Sequence, residues 1–258
     1  MRSETLQPSP DRPILEAENL VKRYDGAAAN ALDGLTLRVA RGRIMGLLGP
    51  NGAGKTTAVS ILSTLMHPTS GQLTILGKNA AGHLRPIRAV IGLAPQEVAL
   101  YESLSARENL TYFGRMYGLK GPALQERVAA CLSAVGLTSQ ADRRIAVYSG
   151  GMKRRANLAA AIVHAPRLLF LDEPTVGVDA QSRALIMDLL KGLQREGTAM
   201  VYTTHYMEEA ESLCDTVAIM DAGRVIAEGS PEALLARHSE ADSLGELFLN
   251  LTGRTLRD

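Results

Sequence analysis

Cysteine is scarce in this chain: among 258 residues only Cys131 and Cys214 carry a thiol. Two isolated thiols exclude a disulfide framework and a cysteine-based zinc site, and they read as reduced thiols of a cytosolic protein. Long apolar runs are lacking as well. The most tempting stretch, residues 158–171, is interrupted by His164, Pro166 and Arg167, well short of the roughly 20 apolar residues that a membrane-crossing helix needs. No membrane span is expected. The first residues include Arg2, Glu4, Gln7, Pro8 and Pro10 without an apolar stretch, so residues 1–12 are expected to form a short disordered tail rather than a secretory signal. Charge of one sign is also missing: 28 Lys and Arg balance 27 Asp and Glu, a net charge of +1. Proteins that grip a nucleic-acid backbone carry a basic excess, so no nucleic-acid partner is expected. Internal repeats and low-complexity segments are absent.

What is present is a globular composition, with 46% apolar against 21% charged residues, at a length that suits one large α/β domain or a main domain with an insert. Residues 14–20 and 31–39 partly alternate apolar and polar around the turn residues Asp25, Gly26 and Asn30. They read as two antiparallel strands near an edge. Residues 44–48 form a continuous apolar run, the pattern of a buried central strand, and a helix is expected to follow to about Met66. Further buried strands are expected at residues 89–94, 168–172 and 199–203, and a hairpin around Asp221-Ala222-Gly223. Between residues 96 and 148 the strand signals give way to helix-period segments at 106–117 and 123–135, separated by glycines and Pro122. Leu234, Leu235, Leu244, Leu247 and Phe248 suggest short amphipathic helices in a C-terminal extension, residues 231–258.

The first chemical motif follows the strand at 44–48. Gly49-Pro50-Asn51-Gly52-Ala53-Gly54-Lys55-Thr56 matches the phosphate-binding pattern G-x-x-x-x-G-K-[ST], and Thr57 extends it. Glycines let the backbone wrap closely, so that successive N–H groups and a helix N-terminus point at a phosphate chain. Lys55 adds a charge for the terminal phosphates, and the Thr56 hydroxyl suits Mg²⁺. The second motif is Leu168-Leu169-Phe170-Leu171-Asp172-Glu173. Two adjacent acids at the end of a buried strand are costly unless they have work to do. Asp172 is expected to serve the metal, and Glu173 to act as the base that orients or deprotonates an attacking water.

Ser149-Gly150-Gly151 stands shortly before the acidic strand and opens an expected helix. Together with the phosphate loop and the acid pair, it makes the sequence resemble the nucleotide-binding subunits of ATP-binding-cassette transporters, from residue 14 to about 231. The resemblance implies an α/β fold: a phosphate-loop NTPase core with an antiparallel β-subdomain and an inserted all-helical subdomain at about residues 97–160, within a nucleotide-binding domain of residues 13–230. It also implies ATP and Mg²⁺ as cofactors and a head-to-tail dimer, either a homodimer or a heterodimer of such subunits. Each ATP would lie between one chain's phosphate loop and the other's Ser149-Gly150-Gly151, which suits an anion at a helix N-terminus. Gln96 matches the glutamine that touches Mg²⁺ or the water. His205 matches the histidine on the γ-phosphate, Asp179 the loop that crosses the dimer interface, and Tyr24 the aromatic that stacks on adenine.

Some positions depart from the commonest family pattern. Tyr148 stands where leucine is usual, and Met152 replaces a glutamine ahead of Lys153-Arg154-Arg155. This form is similar to the branch of drug-resistance and sodium-efflux exporters, whose membrane permease is a separate chain. The expected place of action is therefore the cytoplasmic face of a bacterial cell membrane. Lys153, Arg154 and Arg155 read equally as a solvated helix face or as nucleotide contacts. A soluble cassette ATPase uncoupled from transport is the alternative. A kinase or GTPase is disfavoured by Ser149-Gly150-Gly151, Gln96 and the lack of an Asn-Lys-x-Asp motif.

Overall fold

The structure is a computed structural model that describes residues 12–253. The expected tail at residues 1–12 lies outside them except for its last residue, as do the last five residues of the C-terminal extension. The chain divides into two compact units: the first combines the residues up to Arg88 with those from Ala199 onward, and the second is Ala89–Thr198.

The first unit opens with β1 (Leu15–Lys22) and β2 (Leu32–Val39), paired antiparallel with Leu15 opposite Val39 and Lys22 opposite Leu32. In β2 Leu35, Leu37 and Val39 are buried while Thr36 and Arg38 are exposed, the period-2 pattern of a half-buried strand. Next come β3 (Ile44–Leu48), buried at every residue, and α1 (Lys55–Leu62). The helix stops four residues short of the expected Met66 because Thr64 takes a left-handed φ of 64°. β4 (Ser70–Ile75), β5 (Lys78–Asn79) and α2 (Leu84–Arg88) follow. β4 pairs with β1 on the side away from β2, giving the order β2-β1-β4-β5. The two strands thus lie near an edge as expected, β2 at the edge and β1 flanked on both sides. The sequence hid β4 because Ser70, Gly71 and Gln72 are exposed and only Leu73 and Ile75 are buried.

The second unit starts with β6 (Ile91–Ala94), then α3 (Ala106–Met116), α4 (Gly121–Ala134) and α5 (Gly150–Ile162). β7 (Leu168–Asp172) and α6 (Ala180–Arg195) complete it. β6 and β7 pair in parallel, with Ala94 opposite Leu171. The stretch between β6 and β7 is helical as expected; its only β pairing among the described residues is a bridge between Ser105 and Arg144. α3 begins at a capping box, Ser105 accepting from the Glu108 N–H and Glu108 from the Ser105 N–H.

The chain then returns to the first unit with β8 (Ala199–Thr204), α7 (Met207–Leu213), β9 (Thr216–Asp221), β10 (Arg224–Gly229), α8 (Pro231–Arg237) and α9 (Leu244–Thr252). β3 lies parallel between β8 and β9, and β10 returns antiparallel along β9. Strands covered on both faces read as unbroken apolar runs, which is why β3 and β8 were legible. The β9–β10 turn uses Ala222 at φ 46° and Gly223 at φ 78°, two left-handed residues that match the twist of a tight hairpin. Leu234, Leu244, Leu247 and Phe248 are buried in α8 and α9, as their spacing suggested.

Candidate functional site

The functional residues fall into two groups, one in each unit. In the first unit the loop between β3 and α1 is shaped by its own glycines and tied down from outside. Gly54, the residue before α1, sits at φ 100°, and a Cβ there would come within 2.5 Å of the Ala31 carbonyl oxygen. Only glycine meets both demands. The Ala53 carbonyl accepts from the Gly223 N–H at 3.0 Å, and the Gly223 carbonyl accepts from the Asp33 N–H at 2.9 Å. Arg224 Nε donates to Asp33 Oδ2 at 2.8 Å, so the β9–β10 turn is a brace for the loop. No local pattern of residues pointed to this brace.

Lys55 is 5% exposed, and its ammonium donates to the carbonyls of Gly49 at 2.8 Å and Pro50 at 3.2 Å. The charge is held inside the loop it serves, where burial strengthens its attraction for an anion. Thr56 is exposed and Thr57 half-buried on the first turn of α1, while Asn51 and Gly52 are exposed at the loop tip. Tyr24 is 43% exposed and its hydroxyl lies 3.3 Å from Thr57 Oγ1, so a part-exposed aromatic ring stands beside the loop, with Lys22 Nζ 5.5 Å from its centroid. His205 also belongs here. Leu48 of β3 is in register with Thr204 of β8, so Gly49 and His205 leave their strands at the same level.

A residue the sequence reading missed holds that second exit. Glu209, 6% exposed on α7, accepts from the Tyr202 hydroxyl at 2.7 Å and the Thr204 hydroxyl at 3.1 Å. The same Thr204 oxygen accepts from the Tyr206 N–H at 2.9 Å, which fixes the backbone on both sides of His205. The available signal was an acid four residues after a histidine at a strand end.

In the second unit β7 delivers Asp172, 3% exposed, and Glu173, 6% exposed. Glu173 adopts a left-handed φ of 48°, a conformation that disfavours side chains and that persists where function demands it. Gln96 and Glu173 each stand two residues beyond the register pair Ala94 and Leu171, and Gln96 Nε2 donates to Glu173 Oε2 at 3.4 Å. The structure therefore brings together the expected base and the expected glutamine. Asp172, Gln96 and, in the first unit, Thr56 are hard oxygen donors of the kind Mg²⁺ takes. Among the described residues no cluster of three or more His, Cys, Asp or Glu could hold a metal by itself.

Ser149 caps α5, its hydroxyl accepting from the Met152 N–H at 3.3 Å. Ser149 and Gly150 are exposed while Gly151 is buried. A Cβ on Gly151 would meet Ser182 Oγ at 2.6 Å and Asp179 Oδ2 at 2.8 Å, so the second glycine allows this loop to lie against Asp179. Asp179 caps α6, accepting at 2.8 Å from both the N–H and the hydroxyl of Ser182. The Ser182 N–H, then its hydroxyl, hold the Asp179 carboxyl below the usual value. The tyrosine that replaces leucine is accommodated: Tyr148 is buried, and its hydroxyl donates to the Gln140 carbonyl at 2.6 Å.

The basic run on α5 is neither a loose solvated face nor a set of free charges. Lys153 pairs with Glu102, Arg154 donates to the Gln96 carbonyl, and Arg155 donates to the Val135 carbonyl at 2.7 Å. These are anchors for the helical insert, invisible in a sequence that shows only three consecutive cations.

Known proteins place this geometry in a family. The model of the ABC transporter family matches residues 32–176, more than half of the chain. The linearmycin resistance ATP-binding protein of Bacillus subtilis is 45% identical over 224 residues, which cover 87% of this chain and 71% of that protein. The Nod factor export ATP-binding protein I of Ralstonia nicotianae is 40% identical over 230 residues, 89% of this chain and 71% of that one. A dimeric ATP-binding cassette solved in a post-hydrolysis state with ADP and Pi superposes with a TM-score of 0.78 at 27% identity, covering 84% of this chain and 98% of its own. With its phosphate loop, its acid pair and these relatives, the chain belongs to the ABC transporter family and is one of its ATP-binding, ATP-hydrolysing members.

Proposed function

We propose that the chain powers export through a separate membrane permease, by ATP-driven closure of a dimer at the cytoplasmic face of a membrane. The observation that carries the hydrolytic part is the Gln96–Glu173 pair at the ends of two parallel strands. Binding ATP needs only a phosphate loop, whereas hydrolysis needs a placed carboxylate. In this reading Gly49, Pro50, Asn51, Gly52, Ala53 and Gly54 wrap the phosphates with backbone N–H groups. Lys55 neutralises the terminal phosphates, Thr57 backs the loop, and Tyr24 offers its face to adenine. Thr56, Asp172 and Gln96 would hold Mg²⁺, which would supply charge neutralisation on the phosphates. Glu173 takes the proton of the attacking water, and His205 donates to the γ-phosphate.

The partner's Ser149, Gly150 and Gly151 close the opposite side of the nucleotide, and Asp179 lies at that dimer contact. Closure expels water and completes the charge stabilisation of the leaving phosphate. Among the described residues no helix is long and apolar enough to cross a membrane. Names that speak of linearmycin resistance and Nod factor export support export as the direction. A docking surface on the helical insert fits the exposed cluster of Tyr101, Tyr112 and Met116, where Tyr101 and Tyr112 meet edge to face at 5.2 Å.

Mixing two damaged chains tests the shared site. Lys55→Ala kills one chain's phosphate loop, and Ser149→Arg blocks the other's signature loop with bulk and positive charge. Each alone is expected to be nearly inactive. A mixed dimer keeps one composite site with both elements intact, so ATP-driven dimerisation returns, and hydrolysis with it if the sites act independently. A mixture that restores neither, or a Ser149→Arg chain that hydrolyses ATP normally as a monomer, rules the shared site out.

A further inference from the structure

Helix α5 does more than present the signature loop. Arg154 and Asn157, three residues apart and so on one face, grip the backbone on every side of Gln96. Asn157 Nδ2 donates to the Pro95 carbonyl at 3.2 Å, and its Oδ1 accepts from the Ala99 N–H at 3.1 Å. Arg154 donates to the carbonyl of Gln96 itself. The loop that carries Gln96 is thus held by a helix whose first turn contains Ser149, Gly150 and Gly151, five residues or fewer from Arg154. The Gln96 side chain in turn reaches Glu173. Arg154 is half-buried; burial lowers its pKa from the ordinary guanidinium value, and the charge of Glu173 opposes that shift.

We propose that Arg154 is a positioning residue, which ties the signature helix to the Gln96 loop and the Glu173 carboxylate so that seating of the signature loop sets the geometry of the base. The inference rests on the hydrolytic reading above. In the dimer, Ser149 of a chain serves the other chain's ATP while Gln96 and Glu173 serve its own, so Arg154 is the link that lets one site register the state of the other. A planar guanidinium suits this post, because it spans a carbonyl and a carboxylate field together, which the single point charge of lysine does not.

The test is steady-state Mg²⁺-ATPase of the full chain. Arg154→Gln is expected to lower kcat about tenfold or more while the KM for ATP and ATP-driven dimerisation stay within about twofold, since a small misplacement of a reacting group costs rate rather than binding. Arg154→Lys should fall between this variant and the parent. Glu102→Gln breaks the Lys153 anchor on the same helix without touching Gln96, and should keep kcat within about twofold. Parental kcat in Arg154→Gln, a raised KM with kcat intact, or an equal loss in Glu102→Gln would each overturn the role. If Arg154→Gln melts early, Arg154→Lys decides: reduced kcat with parental melting supports the link, and parental kcat refutes it. A parental chain without ATPase activity counts against the hydrolytic reading instead.

Discussion

Two turns in this chain follow the same plan and solve it differently. Each leaves the C-terminal end of a buried parallel strand and carries an unusual backbone. After β3 the left-handed positions fall on glycines, Gly52 at φ 84° and Gly54 at φ 100°, and the chemistry is left to backbone N–H groups and to Lys55 one residue later. After β7 the left-handed residue is Glu173 itself. A backbone that binds phosphate dispenses with side chains, so glycine serves without loss. In the proposed role of base, Glu173 cannot dispense with its carboxylate, so the strain stays in the fold, on the order of 1–2 kcal/mol for a side chain in the left-handed region.

In stability, the comparison is broken most forcefully at Gly54. Gly54→Ala forces a Cβ into φ 100° and to within 2.5 Å of a backbone oxygen, whereas Gly52→Ala at φ 84° meets nothing within 4 Å. We expect Gly54→Ala to weaken ATP binding by about tenfold or more and to lower Tm by several degrees, from roughly 2–3 kcal/mol of strain and displacement. Gly52→Ala should lose only the conformational part. Nucleotide titration and thermal melting of the two variants settle it: equal losses would mean that the contact with Ala31 does not shape the loop.

The second prediction concerns Glu173 and separates rate from stability. Glu173→Gln should bind ATP and hydrolyse it about 10²-fold more slowly, the usual loss for a placed base. A variant at the parental rate removes the base role. Glu173→Ala and Glu173→Gly both lack the carboxylate and should be equally slow, yet glycine should be the more stable of the two by about 1 kcal/mol, the reverse of its usual order. Alanine melting above glycine would show that the turn relaxes once the carboxylate is gone.

The legibility of the sequence divides along the same line. Strands β3, β7 and β8 and the phosphate loop could be read directly, because an unbroken apolar run and a glycine spacing are local patterns with one physical meaning. β4 could not, since its exposed first half offers no period and its identity comes from lying along β1. Gln96 and His205 were placed by family resemblance, and the register pairs Ala94 with Leu171 and Leu48 with Thr204 give the physical reason they stand where they do. The roles of Arg154 and the Asp33–Arg224 brace were out of reach. Their partners lie 58 and 191 residues away in the chain, and no local pattern encodes such a meeting.

The smallest effect expected compares two carboxylates, one in each unit. Asp33 is held below the ordinary value of 3.8 first by the Asn30 side chain and then by Arg224. Asp179 is held below it by the Ser182 N–H and hydroxyl of a helix cap. A carboxyl whose folded pKa is depressed stabilises the fold fully at pH values above its unfolded pKa, and that contribution is lost as pH falls through the lower, folded value. Asp33→Ala and Asp179→Ala should therefore both lower Tm at pH 7, and each deficit should shrink below pH 3.8. Salt then tells them apart. The Arg224–Asp33 pair is open to solvent, with 67% and 32% of the two side chains exposed, and at about 1 M salt the screening length falls to about 3 Å. Part of the Asp33 deficit should vanish there, leaving what Asn30 contributes, while the Asp179 deficit persists because its partner is a hydrogen bond within one helical turn. Melting curves in low and high salt at pH 7 and below 3.8 make the measurement. Equal salt dependence at the two positions would mean that the Arg224 charge contributes nothing to the brace behind the phosphate loop, which would then be held by the Gly223 backbone alone.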